Sequence, residues 1–326
     1  MSRPLVSVVM PTYNRRALLE ASIDSVLNQT LDDFELFIVD DASTDGTAEV
    51  LGTRARADRR IRVMRAAVNG GCDAARNLAM GQARGRYLAF LDDDDLFLPE
   101  RLERTVARLE AEPGLGAVFS RFGCIDARGQ PLPRPPAFLP VGESATPGER
   151  VFEMLYCDWG WIPTCTLTVR AEQLAGLAFP EFRRCDNDAV FNAQLAASGA
   201  SFAQLGHTLA LVRRDPSHAS MSLDRKALLA DRRASLVFLR SWLGEEGITR
   251  FDGLHARAWS NQLIKEAELL GGLRGVGRLI LAIGHWPGNR RAWRYIRSGI
   301  FAGRRRRPLR STRDRSPSAA GQDPPS

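Results

Sequence analysis

A stretch at residues 86–95, RYLAFLDDDD, decides how the first half of this chain is organised. Its first six residues form an apolar, β-rich run, which is typical of a buried strand. Four adjacent aspartates follow, and capping of the next helix would need only one of them. Neighbouring carboxylates repel one another, whereas a hard divalent cation takes oxygen ligands and then binds phosphate oxygens. The cluster therefore favours a metal site over an acidic turn.

Strands and helices alternate on both sides of this stretch. The alternation predicts an α/β fold, a mostly parallel Rossmann-like sheet with helices on both faces. In such sheets ligands bind at the carboxyl ends of the strands. Polar clusters at 11–15, 40–45 and 92–95 each follow a strand directly, so we expect them to meet at one edge. The predicted strands are 5–10, 34–39, 61–65, 86–91, 116–120, 165–169 and 209–212, and the predicted helices are 16–29, 48–57, 72–83, 102–111 and 188–197.

The basic charge of the chain is concentrated near its C-terminus. The net charge is +7, and 13 arginines but one aspartate lie between Gly272 and Arg315. Residues 1–271 are therefore acidic overall, which makes nucleic acid an unlikely partner for the main body. The segment 273–301 mixes arginines with apolar residues and predicts contact with an anionic membrane surface. The alternative is a pair of amphipathic helices packed on the core.

Composition points to a protein of the reduced cytoplasm. A hydrophobic content of 44% supports a large core, and no apolar run reaches the ~18 residues of a membrane span. The start of the chain lacks the pattern of a signal peptide. The five cysteines are scattered without metal-ligand spacing, which indicates reduced thiols. We expect a cytoplasmic protein, peripheral at the inner face of the plasma membrane if the C-terminal segment binds lipid.

The polar clusters, in this order, resemble those of the family 2 glycosyltransferases, which have the GT-A fold. The matching stretches are VMPTYNR (9–15), VDDASTDGT (39–47), ARN (75–77) and FLDDDD (90–95). The likeness covers roughly the first two-thirds of the chain and is strongest before Arg101. It implies inverting transfer of a sugar from a nucleotide-sugar donor to an acceptor hydroxyl, in polysaccharide or glycolipid assembly. It also implies Mg²⁺ or Mn²⁺ as cofactor, and a saccharide or lipid-linked acceptor.

The resemblance assigns the donor site to the ends of the first strands. Asp41, with Asp40 beside it, would accept a hydrogen bond from a uracil-type N–H, which favours a UDP-sugar. Turn formation and helix capping are the alternative for this pair. Arg76 would face the base or a phosphate, and its alternative is a solvated arginine on a helix. The loop expected to flank the base consists of Pro11, Thr12, Tyr13 and Asn14.

The metal site follows from the D-x-D pattern of the family, which maps onto Asp92 and Asp94. Asp92 would lie near the ribose and the metal, and Asp94 would be the firmest ligand. His218, in a loop after the last predicted strand, would complete the shell, although a lone histidine in a loop is more often an ordinary surface residue. The metal would offset charge on the departing diphosphate.

An inverting transfer also needs a base that takes the proton of the acceptor. The family supplies it from a Glu-Asp pair at the start of a helix, and the pair falls here on Asn187 and Asp188. Asn187 departs from the pattern. Asp188 is the predicted base, Asp186 is the runner-up, and a helix cap at Asp186 is the alternative.

These expectations divide the chain into three parts. Residues 1–222 form the catalytic domain, with a donor half at 1–100 and an acceptor half at 101–222. Residues 223–303 form a helical region and residues 304–326 a basic disordered tail. Two other functions remain open: a metal-dependent nucleotidyltransferase, which would need a phosphate-binding loop that residues 11–14 do not provide, and a degenerate scaffold that binds membrane or RNA.

Overall fold

The computed structural model describes residues 3–133, 141–158, 160–181, 187–214, 225–251, 253–270 and 272–297. The predictions for Asp186, His218 and the tail at 304–326 lie outside this part of the chain. The described part contains eight strands and ten α-helices, in an order that alternates through the first half as predicted. None of its helices combines the length and the hydropathy needed to cross a bilayer.

One mixed sheet contains all of these strands, in the order β3-β2-β1-β4-β7-β6-β8-β5. The four strands on the N-terminal side are parallel, and β8 runs parallel to β6. β7 is antiparallel to both of its neighbours, and β5 is antiparallel to β8. The predicted α/β class with a mostly parallel sheet is confirmed. The strands are β1 (Val6–Thr12), β2 (Phe34–Asp40), β3 (Ile61–Arg65), β4 (Tyr87–Phe90), β5 (Leu96–Phe97), β6 (Ala117–Ile125), β7 (Leu167–Arg170) and β8 (Phe202–Arg213).

Helices cover both faces of the sheet, as predicted, and each face has its own apolar core. One core includes residues of α1, α2 and α4, and the other includes residues of α3, α5, α6 and α7. The central strands β1, β2 and β4 are buried along their whole length, which is why they read as continuous apolar runs. The helices are α1 (Arg16–Leu27), α2 (Thr47–Ala57), α3 (Cys72–Met80), α4 (Arg101–Ala111), α5 (Gly148–Cys157), α6 (Asn187–Ala197), α7 (Arg225–Arg250), α8 (Leu254–Leu270), α9 (Gly272–His285) and α10 (Arg290–Arg297).

The C-terminal helices pack on one another and on the α/β body. The Tyr156 hydroxyl and the His255 imidazole lie 2.6 Å apart, which ties α8 to α5. Asn261 donates to the backbone carbonyl of Cys157 at 2.8 Å. A smaller apolar cluster, which includes Ile264 and Leu279, joins α8 to α9 and α10. The described helices between 225 and 297 are thus packed against the α/β part of the molecule.

Candidate donor and catalytic site

The four aspartates that follow β4 divide into two pairs by burial. The side chains of Asp92 and Asp94 are 37% and 28% exposed. Asp93 and Asp95 are buried, and the carboxylate of Asp95 accepts the backbone N–H of Arg213 at 2.9 Å. Only alternate carboxylates are therefore open to solvent. This is the arrangement that a D-x-D pair needs, and metal binding by Asp92 and Asp94 stays a prediction.

Burial makes negative charge in this cluster costly. It raises the pKa of Asp93 to about 7, and the neighbouring carboxylates of Asp94 and Asp92 add to that rise. Burial also raises the pKa of Asp94, and the nearby Asp92 raises it further. The guanidinium of Arg15, 3.7 Å from the Asp94 carboxylate, acts in the opposite direction. A bound cation would relieve this repulsion.

The residues present fit a divalent cation that is held mainly by its substrate. Within the described part of the chain, no group of three or more His, Cys, Asp or Glu side chains could hold a metal by itself. Mg²⁺, however, is usually bound by one or two carboxylates together with substrate phosphates. Asp92 and Asp94 supply two such carboxylates at the carboxyl end of β4. These two residues would hold the ion.

Arg76 links this acidic segment to the predicted base. Its guanidinium is buried on α3, where it pairs with Asp73 at 2.8 Å, with Asp92 at closer range, and with Asp188 at 3.6 Å. Its guanidinium carbon also lies 5.1 Å from the centre of the Phe179 ring. A buried cation is tolerated only when it is paired, and three carboxylates share this one. Arg76 is therefore not the solvated helical arginine of the alternative interpretation.

Asp188 lies at the start of α6, which is otherwise buried along its described length. Its side chain is 23% exposed, and its carboxylate accepts the backbone N–H of Thr164 at 3.3 Å. Burial raises the pKa of Asp188, while the charge of Arg76 lowers it. A carboxylate with a raised pKa and partial exposure is suited to accept a proton near neutral pH.

A second carboxylate, from Asp73, lies behind Arg76. It is buried in the first turn of α3 and accepts a hydrogen bond from the side-chain amide of Asn187. Burial raises the pKa of Asp73 to about 6, an effect that Arg76 and Asn187 oppose. The side chain of Asn187, the first residue of α6, thus connects this helix to α3. The sequence reasoning did not select Asp73, because an acid in the first turn of a helix is commonplace.

The two loops that follow β1 and β2 are joined by hydrogen bonds. Asn14, at a φ of 51°, donates its backbone N–H to the Ser43 hydroxyl at 3.0 Å and accepts the Thr44 N–H at 2.7 Å. Asparagine is among the few residues that adopt this left-handed conformation readily. Pro11 and Thr12 are buried, and Tyr13 is 45% exposed. The predicted base-flanking loop therefore presents Tyr13 and Asn14 to solvent.

The pair Asp40 and Asp41 already makes local contacts. Asp40 accepts the backbone N–H of Ser43 at 2.9 Å. The two oxygens of Asp41 accept the N–H groups of Gly70 and Gly71 at 2.8 and 2.7 Å. Both residues are buried, and each carboxylate oxygen keeps a second acceptor position besides these bonds. The structure brings both residues to the same edge as Asp92, and their role in donor binding stays a prediction.

Three further residues of the site were not predicted from the sequence. Asn77 accepts the backbone N–H of Phe179 at 2.8 Å and donates to its carbonyl at 2.9 Å, which fixes the backbone of Phe179. Arg15 pairs with Asp94, and the backbone of Thr164 holds Asp188. Arg15 and Asn77 lie inside the matching motifs, which was a usable signal. Thr164 contributes only a backbone group, for which no sequence signal exists.

Comparison with known proteins identifies the family. Residues 7–158 match the model of "Glycosyl transferase family 2". The putative teichuronic acid biosynthesis glycosyltransferase TuaG of Bacillus subtilis is 34% identical over 181 residues, which are 56% of this chain and 68% of TuaG. The chondroitin synthase of Pasteurella multocida is 37% identical over 117 residues, 36% of this chain and 12% of that protein. The chain belongs to the family 2 glycosyltransferases.

Solved structures agree with this fold. The TarS 1–349 structure of S. aureus in complex with UDP-GlcNAc matches with a TM-score of 0.59 at 17% identity, over 90% of this chain and 92% of that chain. The mannosyltransferase PcManGT of Pyrobaculum calidifontis, in complex with GDP-Man and Mn²⁺, matches with a TM-score of 0.58 at 20% identity, over 92% and 80%. The GT-A fold that the resemblance implied is confirmed. Both neighbours carry nucleotide sugars in their structures.

Proposed function

We propose that this protein is an inverting, metal-dependent glycosyltransferase that moves a sugar from a UDP-sugar to an acceptor hydroxyl in cell-envelope polysaccharide or glycolipid assembly. The observation that carries the proposal is the placement of Asp92 and Asp188 on either side of Arg76. One carboxylate belongs to the segment proposed to hold the metal and the donor. The other is proposed to act as the base. Because Arg76 contacts both, donor and acceptor would meet within a few ångströms.

Each residue of the proposed site has a distinct task. Asp188 takes the proton of the acceptor hydroxyl as that oxygen attacks the anomeric carbon, opposite the departing diphosphate. Asp92 and Asp94 hold Mg²⁺ or Mn²⁺, which when bound offsets the charge on the diphosphate. Tyr13 and Asn14, with Pro11 and Thr12 beneath them, flank the base of the nucleotide. The acceptor would be a saccharide or a lipid-linked saccharide.

The preference for UDP depends on Asp41. Its carboxylate holds the backbone of Gly70 and Gly71, which brings the loop after β3 to the edge of β2. The remaining acceptor positions would receive the N–H of uracil, and Asp40 would support the loop from below. A guanine base would present two adjacent donors, N1–H and N2–H, whereas both oxygens of Asp41 already accept a backbone N–H. We therefore propose UDP over GDP on chemical grounds.

The C-terminal helices are proposed to meet an anionic membrane. Ile280 and Leu281 on α9 are 60% and 51% exposed, and Trp293 on α10 is 43% exposed. Arg274, Arg290 and Arg294 lie exposed on the same two helices, and within the described residues they form no ion pair. Exposed apolar side chains and exposed arginines on the same helices suit an anionic lipid surface. Such a location would suit a lipid-linked acceptor.

A donor screen with two variants tests the enzymatic proposal. The purified protein is incubated with Mn²⁺ and a panel of UDP-, GDP- and TDP-sugars, and release of the nucleoside diphosphate is measured. Asp188→Asn should lower kcat by about 10²- to 10⁴-fold, the range of a lost general base, with donor affinity by calorimetry almost unchanged. Asp186→Asn tests the runner-up base, and Asp32→Asn, at a side chain 93% exposed, serves as the control.

Three outcomes would contradict the proposal. If no donor binds or turns over while the protein is folded, the enzymatic assignment is wrong and a scaffold is favoured. If a nucleoside triphosphate is consumed with release of pyrophosphate, the protein is a nucleotidyltransferase. If Asp186→Asn alone abolishes turnover, the base has been misassigned.

A further inference from the structure

The buried pair of Asp73 and Asn187 has no role in the mechanism proposed above, although it lies directly behind the catalytic groups. Asn187 begins α6 and is followed at once by Asp188. Asp73 belongs to α3 and lies one helical turn before Arg76. The side-chain amide of Asn187 donates to one oxygen of Asp73, and the other oxygen accepts from Arg76 at 2.8 Å.

The two contacts of Asp73 have different consequences. The contact with Arg76 restrains the guanidinium from behind, so that its other nitrogen is aimed at Asp92. The contact with Asn187 fixes the first residue of α6, and therefore the direction in which Asp188 leaves the helix. Asp73 and Asn187 are both more than nine-tenths buried, so neither contact is weakened by competing water.

Position 187 is also where this chain departs from the Glu-Asp pair that the resemblance implies. In the folded protein a carboxylate is nevertheless present at that place, because Asp73 brings it from α3 to within hydrogen-bonding distance of residue 187. The chain therefore has one acid and one amide behind Arg76, and the acid belongs to α3 while the amide belongs to α6.

We infer that Asp73 is a positioning residue for the transfer reaction: through Arg76 and Asn187 it orients Asp92 and Asp188 toward each other, and it supplies from α3 the carboxylate that is absent at position 187. The inference rests on the proposed function, since it assumes that Asp188 is the base. An exchange of the acid at position 73 with the amide at position 187 should therefore leave the arrangement of Asp92, Arg76 and Asp188 intact.

An exchange of the two side chains tests this inference. Asp73→Asn, Asn187→Asp and the double exchange are prepared, with Asp58→Asn as matched control, because Asp58 also pairs with an arginine, Arg60, at 2.8 Å but far from the site. Asp73→Asn should lower kcat by about 10- to 100-fold, as expected for a misplaced catalytic group, with the KM for the donor changed less than threefold. Asn187→Asp alone should be impaired as well, since it puts two buried carboxylates in contact. The double exchange should recover most of the lost kcat.

A spectroscopic measurement tests, independently of turnover, whether Asp73 holds Arg76 in place. The side-chain N–H signals of Arg76, assigned by NMR with Arg76→Lys, should be sharp and protected from exchange in the wild-type protein and the double exchange, and broadened or unprotected in Asp73→Asn. Thermal unfolding of each variant separates local misplacement from loss of the fold.

The outcomes distinguish this inference from the proposed function. If the wild type transfers no sugar, the proposed function fails, and the Arg76 signals then show only whether Asp73 holds Arg76 in place. If Asp73→Asn leaves both kcat and the Arg76 signals unchanged, the positioning role is wrong. The same holds if the double exchange is no better than Asp73→Asn.

Discussion

Asp93 shows what burial does to a single residue of the acidic cluster. Its side chain is buried between two partly exposed aspartates in the sequence, and burial raises its pKa from 3.8 to about 7. Between these two values the folded protein holds a proton that the unfolded chain has released. Below about pH 4 the side chain is protonated in both states, and Asp93 costs no stability. The free energy of unfolding then falls as the pH rises to about 7.

Replacing this carboxyl group by an amide should remove that loss. Asp93→Asn keeps the shape of the protonated acid, so the variant should be more stable than the wild type at pH 8, by up to about 4 kcal/mol from the shift in pKa. The advantage should vanish near pH 4. Urea unfolding in the presence of a chelator, at pH 4.5, 6 and 8, measures both proteins. An advantage that does not change with pH would contradict the pKa assignment.

Residue-scale prediction from sequence succeeded where a side chain's position follows from the residues next to it in the chain. The aspartates at 92–95 were placed at a strand end because the apolar run before them is local. Asp73 could not be found in this way. Its importance depends on the amide of Asn187, which is distant in the chain, and a lone acid at the start of α3 looks like ordinary helix chemistry.

At the scale of elements, the first half of the sheet was predictable because each strand is a short apolar run followed by a turn. β8 was expected only at 209–212, but it begins at Phe202. The pairing of β6 with β8 shifts register around Arg121, so the alternation of apolar and polar residues is broken there. The helix α5 was missed because residues 128–148 are rich in proline and glycine, a composition that predicts a loop and hides the start of a helix at Gly148.

The contact between α5 and α6 should be sensitive to a single methyl group. A Cβ atom added at Gly148 would lie 2.5 Å from the carbonyl oxygen of Ala200 and closer still to that of Ala196. Because both obstacles are backbone atoms, α6 would have to shift. Gly148→Ala should therefore lower stability by about 1–3 kcal/mol and reduce kcat, since α6 carries Asp188.

Gly114→Ala is the control for this prediction. Nothing lies within 4 Å of a Cβ atom at position 114, so this variant should match the wild type in thermal unfolding and in turnover. Equal behaviour of the two alanine variants would show that α5 and α6 are not packed as tightly as the structure indicates.

At the scale of the whole molecule, charge is separated from the site. The acidic part of the chain contains the candidate donor site, and the excess of arginine lies between Gly272 and Arg315. The sequence predicted this asymmetry fully, because charge needs no knowledge of the fold. It left open whether the C-terminal helices pack on the core or face a membrane. The structure shows that they pack through one face and expose Ile280 and Leu281 on another.

Vesicle binding tests the exposed face. The double variant Ile280→Glu with Leu281→Glu should bind vesicles of phosphatidylglycerol at least about tenfold more weakly than the wild type, because each lost apolar contact contributes about 1.5–3 kcal/mol. Val68→Glu, at a valine 75% exposed on the donor half, is the matched control and should bind as the wild type does. Co-sedimentation with anionic and zwitterionic vesicles measures both. Equal binding of the wild type to the two kinds of vesicle, or none, would exclude the proposed role of this face.

The position of β7 has a consequence for how the chain is made. Residues 167–170 lie between β4 and β6, although they are synthesised after both. Until they leave the ribosome, the sheet β3-β2-β1-β4 exposes an unpaired edge at β4. β6 then has neither of its partners, because β8 is synthesised later still. Unpaired strand edges invite aggregation. A nascent chain stopped before Arg170 should therefore stay bound to chaperones, and protease resistance should appear only once the polypeptide has grown past this late strand.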